Sequence, residues 1–181
     1  MGMNTINESP NELTEAFAAS KGVADYAATY ADVLASLMRN LDRDAVQRLA
    51  DAIEHTRAAG GTVFIAGNGG SAAGASHWIN DLAANTVVPG TPGYRVISLA
   101  DNAASITALG NDVAFEEVFS RQLTAGGRPG DLLVTMSVSG NSPNILRAVE
   151  EARRIGITCF AICGMQGGKS ADIANDRLLI P

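Results

Sequence analysis

The sequence predicts a single α/β domain: a three-layer sandwich in which helices cover both faces of a five-stranded parallel sheet. After residue 61, short and nearly continuous apolar runs alternate with segments of helical periodicity. Such runs are typical of strands that are buried on both faces, as they are in parallel sheets. The 181 residues, 46% hydrophobic and 18% charged, are enough for one domain with its own core.

Five apolar runs predict the strands, and the connections between them are expected to be right-handed. The runs cover residues 62–66, 95–100, 131–136, 157–163 and 177–180. Periodic segments between the strands predict helices at residues 72–87, 103–123, 143–155 and 170–174.

Helices are also predicted before the sheet. Residues 1–21 are polar at their start and are expected to be flexible, so the single domain is placed at residues 22–181, with its α/β core at 44–181. A helix at 22–40 carries a broad apolar face, which packs either in the core or between copies of the chain. Asp44 is expected to cap a second helix that ends near Gly60.

Charge and composition exclude several classes of partner. The net charge of -6 argues against binding to nucleic acid or to a membrane surface, because both require clustered Lys and Arg. No apolar run approaches the roughly 20 residues that span a bilayer, and the polar N-terminal segment predicts a cytoplasmic location. Cys159 and Cys163 are expected to be small core residues.

The first candidate binding segment follows the first predicted strand. This glycine loop, Gly67–Ala72, has the sequence Gly-Asn-Gly-Gly-Ser-Ala, in which glycines let the backbone turn sharply and approach a ligand. Ligands of open parallel sheets bind beyond the carboxyl ends of the strands. The candidate ligand-binding residues in this loop are therefore Asn68, Gly69, Gly70 and Ser71.

The second candidate segment follows the third predicted strand. In this serine loop, Ser137–Pro143, Ser142 is placed to cap the next helix and Pro143 to be its first residue. The free amides and the dipole at the start of that helix favour a phosphate, and serine hydroxyls add hydrogen bonds. The candidate phosphate-binding residues are Ser137, Val138, Ser139, Gly140 and Ser142.

Both loops, with His77, Gly110-Asn111-Asp112 and Phe119-Ser120-Arg121, resemble the sugar isomerase (SIS) domain family, and within it phosphoheptose isomerase. The resemblance implies a flavodoxin-like fold, phosphate bound by the serine loop, and a homotetramer with sites between subunits. It also implies that sedoheptulose 7-phosphate is converted into the aldose D-glycero-D-manno-heptose 7-phosphate.

That reaction moves a proton between adjacent carbons, and it needs a base and a group that stabilises an enediolate oxygen. His77 and Asp81 are the candidate catalytic residues because, four residues apart on a helix, they share one face beyond the glycine loop. The same pair can hold a divalent metal. The resemblance implies Zn²⁺, completed by residues of a C-terminal helix that is expected to be absent after Pro181.

Asp101 and Asn102 follow the second predicted strand and are expected to reach the same crevice. There they hold sugar hydroxyls, or Asn102 caps the next helix instead. Three positions depart from the pattern that the resemblance implies. Asp81 stands at a Glu position, Val138 stands where Thr is frequent, and the residues from Leu82 to Asn85 include no Arg.

Two alternatives to an aldose-ketose isomerase remain open. One is a non-catalytic module that binds a sugar phosphate for regulation or interaction with other proteins. The other is a dinucleotide-binding domain, because Gly67, Gly69 and Ala72 fit a Gly-x-Gly-x-x-Ala fingerprint with Asp101 as its acidic residue. Asp101 lies farther along the chain than the usual spacing of about 20 residues, and that scheme gives the serine loop no role.

Overall fold

The computed structural model describes residues 12–164 and 166–181, so the flexibility expected for residues 1–11 lies outside the described residues. The chain divides into two compact units, one ending at Leu41 and the other running from Asp42 to Pro181. Nothing in the described ranges forms a helix both long enough and apolar enough to cross a lipid bilayer.

The first unit contains two helices, α1 at Glu12–Ala19 and α2 at Val23–Asn40. Helix α2 occupies the stretch where the apolar periodicity predicts one, whereas α1 lies within a segment that the composition did not indicate as helical. The rings of Phe17 and Tyr26 pack edge to face with centroids 5.1 Å apart. This aromatic contact joins α1 to α2.

The second unit contains the sheet. Its strands are β1 at Thr62–Gly67, β2 at Arg95–Ser98, β3 at Leu132–Ser137, β4 at Thr158–Gly164 and β5 at Asp176–Ile180. Its α-helices are α3 at Arg43–Ala58, α4 at Gly70–Ile79, α5 at Ala103–Asp112, α6 at Ser120–Gly126, α7 at Pro143–Arg154 and α8 at Gly168–Ile173.

All four strand pairs are parallel, and the order across the sheet is β2-β1-β3-β4-β5. This order is that of flavodoxin-like folds, so the predicted fold class is confirmed.

Two of the helices predicted from the sequence are interrupted by turns of a different helical type. The one at 72–87 continues from α4 into a π-helical turn at Asn80–Ala84, and the one at 103–123 is divided by a 3₁₀ turn at Phe115–Glu117.

The centre of the sheet is buried on both faces. Phe64 and Ala66 of β1 belong to a core cluster with Leu133 of β3 and Ile145 of α7. Val63 and Ile65 alternate with Phe64 and Ala66 along the strand and are equally buried. A strand covered on both sides reads as a continuous apolar run, which is why the sequence located it correctly.

Side chains at helix and strand starts position the sheet. The carboxylate of Asp131, only 7% exposed, accepts hydrogen bonds from the amides of Thr62 at 2.7 Å and Arg128 at 2.8 Å. It therefore joins the start of β1 to the turn that leads into β3.

The prediction that Asp44 caps α3 was wrong: Asp42 is the cap, and its carboxylate accepts a hydrogen bond from the amide of Ala45 at 3.0 Å.

The two cysteines are free and buried, and they lie four residues apart on β4. Each belongs to a hydrophobic cluster beside the sheet. Burial raises the pKa of the Cys159 thiol to about 12, so it stays neutral. Their prediction as core residues is confirmed.

Candidate functional site

The glycine and serine loops lie side by side because of the strand order. The chain leaves β1 toward β2 on one side of the sheet and leaves β3 toward β4 on the other. Strands β1 and β3 are neighbours, and Gly67 pairs with Met136 at their carboxyl ends. In open α/β sheets, this reversal of direction opens the crevice where ligands bind.

The glycine loop turns too tightly for larger residues. A Cβ atom on Gly67 would lie 2.7 Å from the carbonyl carbon of Ser71, and Gly69 has a φ of +53°. The amides of Ser71 and Ala72 bond back to the carbonyl of Asn68 at 2.9 and 3.3 Å. No hydrogen bond recorded in residues 12–164 or 166–181 uses the amides of Gly69 and Gly70. These two donors remain for a ligand.

Two hydroxyls of the serine loop shape its backbone. Ser137 Oγ accepts a hydrogen bond from the amide of Gly140 at 3.1 Å, and Ser139 Oγ accepts one from the amide of Asn141 at 3.2 Å. Each hydroxyl proton stays available as a donor. Val138, which stands between them in the sequence, is exposed and adds no polar group.

Helix α7 begins where the sequence placed it, with Ser142 at the N-cap and Pro143 as its first residue. The Ser142 side chain makes no capping hydrogen bond, so its hydroxyl is available to a ligand. The amides of Ile145 and Leu146 both bond to the carbonyl of Ser142 at 3.0 Å. Within the described chain, the amide of Asn144 has no such acceptor, and it is a free donor at the positive end of the helix dipole.

A reciprocal pair of side-chain amides connects the two loops. Asn68 Nδ2 donates to Asn144 Oδ1 at 2.9 Å, and Asn144 Nδ2 donates to Asn68 Oδ1 at 2.8 Å. Asn144 is only 2% exposed. Asn144 lies outside the loop residues that the sequence indicates as ligand-binding. It is nevertheless in phase with the buried residues Ala148 and Ala152, where a polar side chain requires a partner.

A cavity of about 470 Å³ opens beside this pair. It is lined by Asn68, Ala114, Phe115, Glu116, Ser142, Pro143 and Asn144. Its volume is within the range of small-molecule sites. Of the predicted binding residues, Asn68 and Ser142 line it directly, whereas Ser71, Ser137 and Ser139 are not among its lining residues. The wall from Ala114 to Glu116 had been predicted as part of a continuous helix.

A second polar cluster lies on α4 and the turn that follows it. His77 Nε2 and Asp81 Oδ2 are 3.3 Å apart, with 73% and 49% of their side chains exposed. The predicted shared face of this pair is therefore observed. On the same helix, Ser76 Oγ donates a hydrogen bond to Asp101 Oδ1, which brings the end of β2 to α4.

Asn102 is used differently from Asp101. Its side-chain oxygen accepts a hydrogen bond from the amide of Ser105 at 3.0 Å and caps α5. Of the two roles considered for Asn102, the structure shows helix capping. Its side-chain NH₂ group stays available.

The donors on α4 do not form a complete metal site. No group of three or more His, Cys, Asp or Glu side chains within residues 12–164 and 166–181 is arranged to hold a metal ion. His77 and Asp81 supply two donors, whereas catalytic zinc has three protein ligands. The described residues of one chain therefore do not by themselves fit Zn²⁺.

The comparisons with known proteins agree with this architecture. The family model described as the SIS domain matches residues 25–164. The phosphoheptose isomerase of Rhodospirillum rubrum is 40% identical over 137 residues, which are 76% of this chain and 72% of that protein. That of Paramagnetospirillum magneticum is 38% identical over 162 residues, 88% and 80% of the two chains.

Solved structures give the same result. The phosphoheptose isomerase from Francisella tularensis superposes with a TM-score of 0.78 at 32% identity, covering 87% of this chain and 83% of that one. The enzyme from Neisseria gonorrhoeae superposes with a TM-score of 0.75 at 33% identity, covering 86% and 84%. The chain thus belongs to the SIS domain family, in its phosphoheptose isomerase branch.

Proposed function

We propose that this protein is a phosphoheptose isomerase that converts sedoheptulose 7-phosphate into D-glycero-D-manno-heptose 7-phosphate. The observation that carries the proposal is the cavity between the two loops, lined by Asn68, Ser142 and Asn144 at the switch point of the sheet. It occurs in a chain 40% identical to a phosphoheptose isomerase over three quarters of its length.

The phosphate is assigned to the start of α7. The Ser142 hydroxyl and the Asn144 amide are free donors there, and the dipole of a 12-residue helix adds positive potential. The hydroxyls of Ser137 and Ser139 sit on the same loop and have protons to donate. Oriented donors of this kind stabilise a dianion, so phosphate binding here does not require a lysine side chain.

The proton transfer is assigned to His77 and Asp81. A base removes a proton from C1 of the ketose to give an enediolate, and it then delivers this proton to C2. In the same reaction the C2 oxygen gains a proton and the C1 hydroxyl loses one, which leaves the aldose. An imidazole and a carboxylate 3.3 Å apart form a unit that can accept the first proton and return it. Asn85 Nδ2 lies 3.3 Å from Asp81 Oδ1 and helps to orient the carboxylate.

Zinc binding at His77 and Asp81 remains a prediction. These two donors would be part of a site completed by ligands outside the set described here, and we assign no step of the proton transfer to a metal. A homotetramer and a cytoplasmic location also remain predictions. The tetramer is supported by the apolar residues Tyr30, Leu34 and Met38 of α2, which are 45%, 48% and 63% exposed.

The test is incubation with sedoheptulose 7-phosphate, with and without added zinc, followed by assay for the aldose. New aldose supports the isomerase, and loss of turnover in His77→Ala and Asp81→Asn at retained thermal stability supports the assigned roles. Ligand at about 100 times its Kd should stabilise the fold by about 2.7 kcal/mol. Stabilisation without turnover would instead indicate a non-catalytic binding module. If the ligand is neither converted nor stabilises the fold, the proposal is refuted.

A further inference from the structure

The Asn144 side chain is paired with Asn68 through both ends of its amide group. Its Oδ1 accepts one hydrogen bond and its Nδ2 donates another, at 2.9 and 2.8 Å, and the residue is 2% exposed. Its amide group is therefore directed at a neighbouring residue and is almost fully buried. Asn144 also lies in the wall of the cavity, and its pairing gives the side chain a route to a ligand through Asn68.

The pairing determines the orientation of Asn68. Rotating one amide by 180° without the other would place nitrogen against nitrogen and oxygen against oxygen, so the two orientations are coupled. The pairing uses one N–H and one oxygen lone pair of Asn68. Because Asn68 is only partly buried and lines the cavity, its second N–H and second lone pair remain for a ligand in defined positions.

The same contact limits movement of the glycine loop. Asn68 accepts the amides of Ser71 and Ala72 at its carbonyl, so the turn into α4 starts from this residue. Asn144 is the second residue of α7, the helix whose start we assign to the phosphate. The amide pair thus holds the backbone donors of the glycine loop at a set position relative to the start of α7.

We propose that Asn144 is a positioning residue of the sugar-phosphate site, which acts by fixing the side-chain orientation of Asn68 and the place of the glycine loop. The proposal rests on the proposed function and adds to it a residue that need not touch the substrate through its side chain. Preorganised donors bind more tightly than mobile ones because less order is lost on binding.

Asn144→Asp is the diagnostic variant because it changes hydrogen-bonding capacity at nearly constant shape. An ionised carboxylate accepts from Asn68 Nδ2 but has no proton for Asn68 Oδ1, whereas a protonated carboxyl both accepts and donates. Burial raises the pKa of a carboxyl group. The variant should therefore regain the pairing as the pH falls.

The experiment measures KM and kcat for sedoheptulose 7-phosphate between pH 5 and 8.5 in the wild type, Asn144→Asp and Thr135→Val. Thr135 is buried on the adjacent strand, and its hydroxyl has no hydrogen-bond partner in the described structure, so its replacement controls for a general core change. We expect KM of Asn144→Asp to rise at least about tenfold at pH 8.5 with kcat within about threefold of wild type. The KM ratio to wild type should fall toward one at pH 5, and Thr135→Val should keep the wild-type KM.

Two results would overturn the proposal if the wild type binds the ligand. One is an unchanged KM with kcat reduced in proportion to the folded fraction, which would mean a purely structural role. Another is a raised KM ratio that does not vary with pH. If the wild type binds sedoheptulose 7-phosphate without turnover, the proposed catalytic activity is refuted. The role of Asn144 is then tested by the ratio of Kd values between variant and wild type in place of the KM ratio. If the wild type does not bind the ligand, both fail.

Discussion

The amide of Ser170 donates a hydrogen bond of 2.9 Å to the carbonyl of Gly140, which joins the serine loop to α8. The amide of Lys169 donates in the same way to Asn141 Oδ1 at 3.0 Å. Two donors at the start of α8 are thus satisfied by the loop that we assign to phosphate binding. The loop is consequently supported from both sides, by α8 and by its own serine hydroxyls.

Replacing Gly140 with Ala should destabilise the protein and weaken sugar-phosphate binding. Gly140 has a φ of +62°, and a Cβ atom would lie 1.8 Å from the carbonyl oxygen of Gly167. The left-handed conformation alone costs a residue with a Cβ about 1–2 kcal/mol, and the clash adds to it. Urea unfolding should show a loss of at least this size.

The matched control is Gly74→Ala in α4. Its Cβ would meet only Met136 Sδ, at the ordinary contact distance of 3.8 Å. Because alanine is the better helix former, this variant should gain about 0.5–1 kcal/mol. Equal stabilities of the two variants would contradict the tight packing of the serine loop.

Alanine at Ser139 or Ser142 should weaken binding of sedoheptulose 7-phosphate while the fold is retained. A hydrogen bond to a charged acceptor contributes about 1.5–3 kcal/mol, so each change should raise Kd by roughly tenfold to a hundredfold. Titration calorimetry measures it, and Ser36→Ala in α2 serves as the control. An unchanged Kd in both variants would remove the serine loop from the phosphate site.

Glu54 should make stability depend on pH in acid. Hydrogen bonds from Arg57 and then from Tyr94 lower the pKa of Glu54 from 4.5 to about 2 in the folded protein. A carboxyl with a lowered folded-state pKa stabilises the fold above its unfolded pKa, and this stabilisation is lost as the pH falls from about 4.5 to about 2. The Arg57 guanidinium also lies 5.5 Å from the Tyr94 ring centroid.

Urea unfolding of Glu54→Gln and the wild type at pH 7, 4 and 2.5 tests this. The variant should be the less stable one at pH 7, and the gap should narrow with acidification. Tyr94→Phe, which removes the secondary hydrogen bond, should show a smaller effect of the same sign. A gap that stays constant over this range would rule out the lowered pKa.

The sequence predicted the sheet well because its central strands β1, β3 and β4 are mostly buried and read as apolar runs between turns. Its failures have local causes. Asp42 and Asp44 are equally good capping residues by type, and only the path of the chain selects Asp42. The 3₁₀ turn at Phe115–Glu117 interrupts a segment that was predicted to be one helix. Val118 and Phe119, directly after the turn, pack in the core, so the apolar spacing continues across the interruption and hides it.

The sequence indicated individual residues of the candidate site but not the contacts between them. Loop composition identified Asn68 and Ser142, but long-range contacts decide which groups meet. The pairing of Asn68 with Asn144 joins residues 76 positions apart. The contact of Ser76 with Asp101, 25 positions apart, likewise draws Asp101 toward α4. Such contacts leave little trace in a single sequence.

The most direct test of the proposed site is a crystal structure of the protein with sedoheptulose 7-phosphate. We expect the phosphate at the start of α7, with oxygens about 2.7–3.2 Å from Ser142 Oγ and the amide of Asn144, and the C1 end of the sugar toward His77 and Asp81. A phosphate bound elsewhere, with the ligand making no contact to the glycine or serine loop, would contradict the proposed site.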